Sequence, residues 1–307
     1  MSSADPTVAV VGSVNLDLIA RVREFPRAGE TVLGSDYEEA PGGKGLNQAL
    51  GAARQVSTSL VASVGDDPVG DRVVAWAAGH GLEVSGVHRA PGLTGRALIT
   101  VAPDGENIIV VAPLSTLELA PEFVAAELDR IAPDVVLAQH EITAEALAAA
   151  ADWCRSSGAR FVFNASPVRT VGAELLGACD PVVVNTAEGL ALLRAAESAR
   201  PVGTPGDRSA VREGGAWRPA DVARRLLELC PSAVVTAGGS GAFVADAEGV
   251  EHVESSTRVV AIDTTGAGDE FAGVLAARLA TGATLREAAR DANDAAGALV
   301  QVPRDQR

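Results

Sequence analysis

The stretch VVAIDTTGAGDEFAGVL, residues 259–275, narrows the choice of fold more than any other part of the chain. Val259, Val260 and Ile262 are β-branched or close to it in character and read as a buried strand, after which Gly266, Ala267 and Gly268 free the backbone for a tight turn. Beyond the turn, Phe271, Val274, Leu275, Arg278 and Leu279 recur at helical spacing, which puts the glycines at a helix N-terminus. The first N–H groups of a helix have no partner within it and carry partial positive charge, so such a corner attracts anions. Asp269 lies just inside it. Beside a phosphoryl group held by those amides, its carboxylate is placed to take a proton from an attacking hydroxyl. A strand, a Gly-rich turn and a helix with an early Asp is also ordinary α/β punctuation, with the Asp as a cap. The corner therefore needs a second, independent signal.

That signal is the only lysine in the chain. Lys44 stands against 24 arginines, inside Gly42-Gly43-Lys44-Gly45. Glycines on both sides let backbone approach a ligand closely, and a compact ammonium there is a point charge for it. The formal net charge is −15, which makes nucleic acid and anionic membranes poor partners, so a phosphate has to be held by local amides and a few cations. The loop is not a Walker A motif, because Gly45 follows the lysine where Ser or Thr is needed, and no GxGxxG follows the first strand.

At 307 residues and 47% hydrophobic content the chain buries an ample core. Cys154, Cys179 and Cys230 form neither a CxxC pair nor a secreted framework and read as buried thiols in a reducing compartment. MSSADP at the N-terminus has no basic residue and no apolar core, and no apolar run reaches membrane-spanning length. A cytoplasmic protein is expected.

Taken in order, TVAVV (7–11) reads as a central parallel strand, and the alternation that follows puts Asn15 and Asp17 on one face of an extended segment. Polar residues at the carboxyl end of a first strand are where an open α/β sheet binds small ligands. Residues 19–37 and 94–111 are extended and turn-rich, interrupting the βα rhythm twice. They predict a small added sheet that covers a ligand as a lid. Helix opens after Gly43, with Asn47 on its first turn. Strands are expected at 58–63, 84–88, 134–138, 160–163, 181–184 and 232–237, and helices at 68–80, 121–130, 143–157 and 219–229. His140 and Glu141 follow the strand at 134–138. The histidine reads as a local hydrogen-bonding residue and the glutamate as a site candidate. Asn185 with Glu188 three residues on reads either as a helix cap or as a carboxylate orienting water around magnesium. Residues 196–218, rich in Arg, Gly and Pro, read as an exposed insertion. Gly238-Gly239-Ser240-Gly241 ends the strand at 232–237, a hairpin turns near Glu248-Gly249, and a last helix covers about 285–300.

With these residues laid out, the chain resembles the ribokinase-like (PfkB-type) carbohydrate kinases. The matching blocks are GSVNLD (12–17), FPRAGETV (25–32), GGKGLNQA (42–49), VGDDPVG (64–70), NTAE (185–188), TAGGSGA (236–242) and DTTGAGDEFAG (263–273). The resemblance implies a single domain over 1–307, a three-layer α/β/α (Rossmann-like) fold with a mainly parallel sheet, and a β lid from about 14–40 and 92–113. It implies an ATP-dependent kinase acting on a primary hydroxyl of a small sugar. D-ribose leads as substrate, and fructose, deoxyribose or a nucleoside are the rivals, with a non-catalytic sugar-binding relic of the fold as the alternative of another class. By the same resemblance, Asn15, Asp17, Gly43, Lys44, Asn47 and Glu141 hold the sugar, Asp269 is the base, and the amides of Gly266, Ala267 and Gly268 form the anion hole. Asn185, Glu188, Thr236, Gly238, Gly241, Gly268 and Asn293 fall to ATP, with Glu188 reaching Mg2+ through water. Asp263 and the carbonyl of Thr265 stand where a monovalent cation such as K+ is held, although the Gly-Ala-rich segment that helps wall that site is lacking. Family members often pair through lid strands, and the alternation of Ala97, Ile99 and Val101 permits a homodimer. Two further departures are Pro113-Leu114-Ser115-Thr116, where a Gly-Ala-Asn block is usual, and Glu270 after the expected base. Successive helical side chains diverge by about 100°, which turns Glu270 away from the site.

Overall fold

The computed structural model describes residues 5–198, 217–256 and 259–303. From the N-terminus, β1 (Thr7–Val11) leads to β2 (Asn15–Arg21), β3 (Asp36–Gly42), α1 (Lys44–Ala53), β4 (Ser57–Gly65) and α2 (Pro68–Gly79). Next come β5 (Val87–Ala90), β6 (Gly95–Val101), β7 (Asn107–Ala112), α3 (Pro121–Ile131), β8 (Val135–Gln139), α4 (Ala144–Ser157) and β9 (Arg160–Asn164). The remainder is α5 (Ala173–Ala178), β10 (Val182–Asn185), α6 (Thr186–Ser198), α7 (Pro219–Leu226), β11 (Ala233–Thr236), the hairpin of β12 (Ala242–Asp246) and β13 (Gly249–Val253), α8 (Ala267–Ala280) and α9 (Leu285–Leu299).

The main sheet runs β13-β12-β11-β10-β9-β8-β1-β4-β5. From β5 to β11 all neighbours are parallel, and β12 and β13 close one end antiparallel. The strands are apolar on both faces because helices cover both. Parity along β1 divides the layers: Val8 and Val10 join Leu46, Phe271, Leu275 and Ala289 under α1, α2, α8 and α9. Ala9 and Val11 point the other way, to Leu128, Leu147, Phe163 and Leu226 under α3 to α7. Each fully buried Leu or Phe in these layers contributes about 1.5–3 kcal/mol. The result is the expected α/β/α sandwich.

A second sheet of order β3-β2-β6-β7 stands apart from the first. β2 and β6 are parallel, and β3 and β7 flank them antiparallel. It is tied to the main body by Asp67, the N-cap of α2. Asp67 accepts from Gly70 N (2.8 Å), Thr94 Oγ1 (2.5 Å) and Thr94 N (3.2 Å), and pairs with Arg96 (3.2 Å) at the start of β6. At the far edge β7 exposes Ile108, Ile109, Val110 and Val111.

One expectation fails. Residues 259–262 form no strand, and Val260 and Ile262 are 85% and 66% exposed. The order of the main sheet ends at β13 without this segment, and strand propensity without a partner surface decides nothing. Instead Ile262 N and Asp263 N both donate to Val300 O (2.7 and 3.2 Å) just past α9. The strand expected at 84–88 is also displaced, to 87–90. Most of the insertion expected at 196–218 lies outside the described residues. No helix among them is long and apolar enough to cross a membrane.

Candidate active site

The N-termini of α1 and α8 are brought together by glycine. A Cβ on Gly273 would lie 2.2 Å from Gln48 O, and one on Gly51 would lie 3.2 Å from the Glu270 carboxylate, so the two helices pack backbone to backbone. At their meeting point Asp269, buried, accepts from Asn47 Nδ2 (3.1 Å) on one oxygen and from Gln48 Nε2 (3.0 Å) on the other. Glu270, about 100° further round the helix, turns toward the C-terminal end of α1 and pairs with Arg54. Gly266, with φ 78°, occupies the left-handed region at the N-cap of α8, a conformation that favours glycine.

Asp269 faces a cavity of about 940 Å³ between the two sheets. Asn15, Asp17, Gly43, Lys44, Asn47 and Glu141 line it, as do Asp263, Thr265 and Gly266. The second sheet supplies an apolar wall that includes Ile19, Ile99 and Ile109. Asn15 is buried, and its Oδ1 has no hydrogen-bond partner among the described residues. Gly43, φ 96°, is hemmed in by Ser13 O and Asn15 N. Glu141 is braced by Ser13 Oγ (2.5 Å) and Lys44 N (3.1 Å), and Ser13 Oγ in turn accepts from Gly45 N (3.2 Å). Burial opposes the charge on Lys44. The carboxylates of Asp269, Glu141 and Glu188 together outweigh it and hold the ammonium above the usual lysine range.

The amides at the start of α8 are not equivalent. Ala267 N donates to Thr264 O (3.2 Å), so it is not free for an anion, whereas Gly266 N and Gly268 N have no hydrogen-bond partner among the described residues. Of the three amides expected to hold an anion, those of Gly266 and Gly268 are the ones left open. The carboxylate of Asp263 accepts from Thr265 N (2.8 Å) in an Asx turn beneath them.

The other expected residues lie outside this cavity, at the carboxyl ends of β10 and β11 and on α9. Asn185 and Glu188 bond reciprocally, Asn185 N to Glu188 Oε2 (2.8 Å) and Glu188 N to Asn185 Oδ1 (2.9 Å), which is cap geometry. Glu188 Oε1 remains without a hydrogen-bond partner among the described residues, so the cap leaves a carboxylate oxygen to offer. Thr236 Oγ1 donates to Val184 O (3.4 Å). Gly238 and Gly241 (φ 55° and 85°) shape the turn after β11. Asn293 Nδ2 donates to Val253 O (2.9 Å), the carbonyl that also crowds Gly241. His140 is a local residue as read, bonded through Nδ1 to Pro167 O (3.1 Å) and edge-on to Phe163, with burial pushing it down to about 4.

Sequence reasoning missed Ser13, Gln48 and the role of Asn164. Gln48 had a detectable signal: it is the polar member of the buried stripe of α1 beside Gly45, Ala49 and Ala52.

Comparison with known proteins agrees with this geometry. Residues 5–307 match the family described as pfkB family carbohydrate kinase. A ribokinase of Haemophilus influenzae is 30% identical over 297 residues, covering 96% of this chain and 92% of its own. The crystal structure of ribokinase from Thermotoga maritima superposes with a TM-score of 0.83 at 27% identity, covering 97% of this chain and 93% of that one. A ribokinase from Cryptococcus neoformans in complex with ADP gives 0.76 at 26% identity, covering 98% and 95%. With its fold, its two glycine corners and its full-length match in agreement, this chain belongs to the pfkB family of carbohydrate kinases.

Proposed function

We propose that the chain is an ATP-dependent sugar kinase that phosphorylates the primary hydroxyl of D-ribose. The observation that carries this reading is the cavity in which buried Asp269 and Lys44 share one lining with the polar side chains of Asn15, Asp17, Asn47 and Glu141. Those groups offer a polyol both donors and acceptors, and the unpartnered Oδ1 of Asn15 is suited to a sugar O–H. Asp269 takes the proton of the primary hydroxyl as its oxygen attacks the γ-phosphorus and ADP leaves. The amides of Gly266 and Gly268 neutralise charge on the transferring group. Base assistance of this kind is worth on the order of 10²–10⁴ in rate.

Asn185, Glu188, Thr236, Gly238, Gly241 and Asn293 are assigned to the nucleotide side. The open oxygen of Glu188 fits Mg2+ held largely through water, since that ion keeps several waters and takes few carboxylates. When bound, it would supply positive charge that offsets the charge of the phosphates. Asp263 and the Thr265 carbonyl would be the groups to hold a monovalent cation, and comparing turnover in KCl with turnover in NaCl tests that assignment.

Residues 1–307 are read as one catalytic unit, with the second sheet as a lid that excludes water from the transfer. The exposed apolar edge of β7 suits a second copy of the chain, giving a homodimer through the lid. A monomeric mass by light scattering would remove that part of the reading. Cys154, Cys179 and Cys230 are buried and unbridged, which fits a cytoplasmic setting. The deciding experiment is ADP release over a panel of ribose, deoxyribose, fructose and nucleosides. Ribose is expected to give the highest kcat/KM, and absence of turnover on pentoses would sink the assignment.

A further inference from the structure

We propose that Gln48 is a positioning residue for Asp269, the inner end of a relay that fixes the polarity of the whole base side. The inference rests on reading Asp269 as the base and adds a group that never touches substrate. Gln48 is fully buried and does not line the cavity. Its Nε2 donates both to Asp269 Oδ1 (3.0 Å) and to Asn164 Oδ1 (3.0 Å), and Asn164 Nδ2 donates to Val183 O (3.1 Å).

The orientation of these amides follows from the far end of the chain. A main-chain carbonyl can only accept, so Val183 O requires the NH2 of Asn164. The Asn164 oxygen must then face Gln48, which requires the NH2 of Gln48 on that side, and its second N–H falls on Asp269. A carbonyl on β10 thus determines that the base is met by a donor. Asn47 clamps the other oxygen, but it lines the cavity and is open to competition from a bound hydroxyl. The Gln48 contact is sealed from that competition.

A second observation points the same way. Gln48 Oε1 is buried without a hydrogen-bond partner, a penalty that an apolar side chain in the same space would not incur. The glutamine is kept despite that penalty because its donors serve Asn164 and the Asp269 carboxylate, and the second of these contacts holds the carboxylate toward an incoming hydroxyl.

The test is Gln48→Met, which keeps the volume and removes both donors. Expected is a fall in kcat of about tenfold or more, with KM for sugar and for ATP held within about twofold. The melting midpoint should fall modestly, since Asn164 Oδ1 and Asp269 Oδ1 each lose a donor while one unpaired carbonyl is removed, so kcat is compared on the folded variant below its midpoint. In an Asp269→Asn background, the same change should alter the residual rate by less than about twofold, because the relay has nothing left to position. Asn164→Val gives an independent route to the same loss with the same KM pattern if Gln48→Met does not fold. An unchanged kcat in folded Gln48→Met, or an equal loss in the Asp269→Asn background, overturns the proposal. Wild-type turnover in Asp269→Asn alone would instead overturn the base assignment beneath it.

Discussion

The two sides of the proposed reaction are built differently. On the acceptor side, Asp269 is buried, both its oxygens accept from amides of α1, and the helices beneath it touch backbone to backbone at Gly273. On the phosphate side, residues 260–262 are exposed, and a Cβ on Gly268 would meet nothing within 4 Å. Side chains and packing make the first, whereas main-chain donors around open space make the second. The difference suits the reaction. A neutral sugar must be recognised by an array already in place, while a polyanion brings its own charge to whatever donors and ions surround it.

The largest expected effect breaks the acceptor side at its centre. Asp269→Asn should lower kcat by about 10²–10⁴ and leave sugar affinity by calorimetry within a few-fold. Undiminished turnover would mean that this side is a binding surface only.

Next is Gly273→Val, whose added carbons would collide with Gln48 O and Ala52 N, backbone atoms that cannot swing aside. A loss of about 1–3 kcal/mol in chemical denaturation is expected, together with reduced kcat as α8 shifts from α1. A variant with wild-type stability would show that the helix contact is softer than its geometry implies.

Asp67→Asn probes the cover of the acceptor side rather than its floor. Burial raises the Asp67 carboxyl, but bonds from Thr94 and Gly70 and the Arg96 guanidinium outweigh it and hold it below the ordinary 3.8. Because the folded value lies below the unfolded one, the stabilisation is present above about 3.9 and is lost as pH falls through the folded value. The substitution should cost about 1–3 kcal/mol at neutral pH, with the gap to wild type narrowing in acid melts. A gap independent of pH would detach the carboxylate from that role.

The smallest effect belongs to the phosphate side. Gly268→Ala has room for its methyl, so stability should change by no more than about 1 kcal/mol and kcat by only a few-fold. A collapse in kcat with stability intact would show that this side is as closely fitted as the other.

The layers and the two glycine corners were legible because they depend on local periodicity and on residues that few other conformations need. Asn15 and Asp17 on one strand face, and the divergence of Glu270 from Asp269, follow from the period of each element alone. Residues 259–262 misled because a β-branched run reports a preference for a ladder without reporting whether the fold carries the segment to one. Ser13, Gln48 and Asn164 escaped for a related reason. Their partners lie 128, 221 and 19 residues away, and one-dimensional pattern carries no sign of which buried donor meets which acceptor.

Lys44 is the chain's one lysine, and it borders the cavity. An acylating reagent therefore has a single ε-amine to find, and its yield becomes a direct gauge of whether that cavity is filled. The three surrounding carboxylates keep the amine protonated, so modification should be sluggish near neutrality and quicken only in strong alkali, with sugar or nucleotide slowing it further.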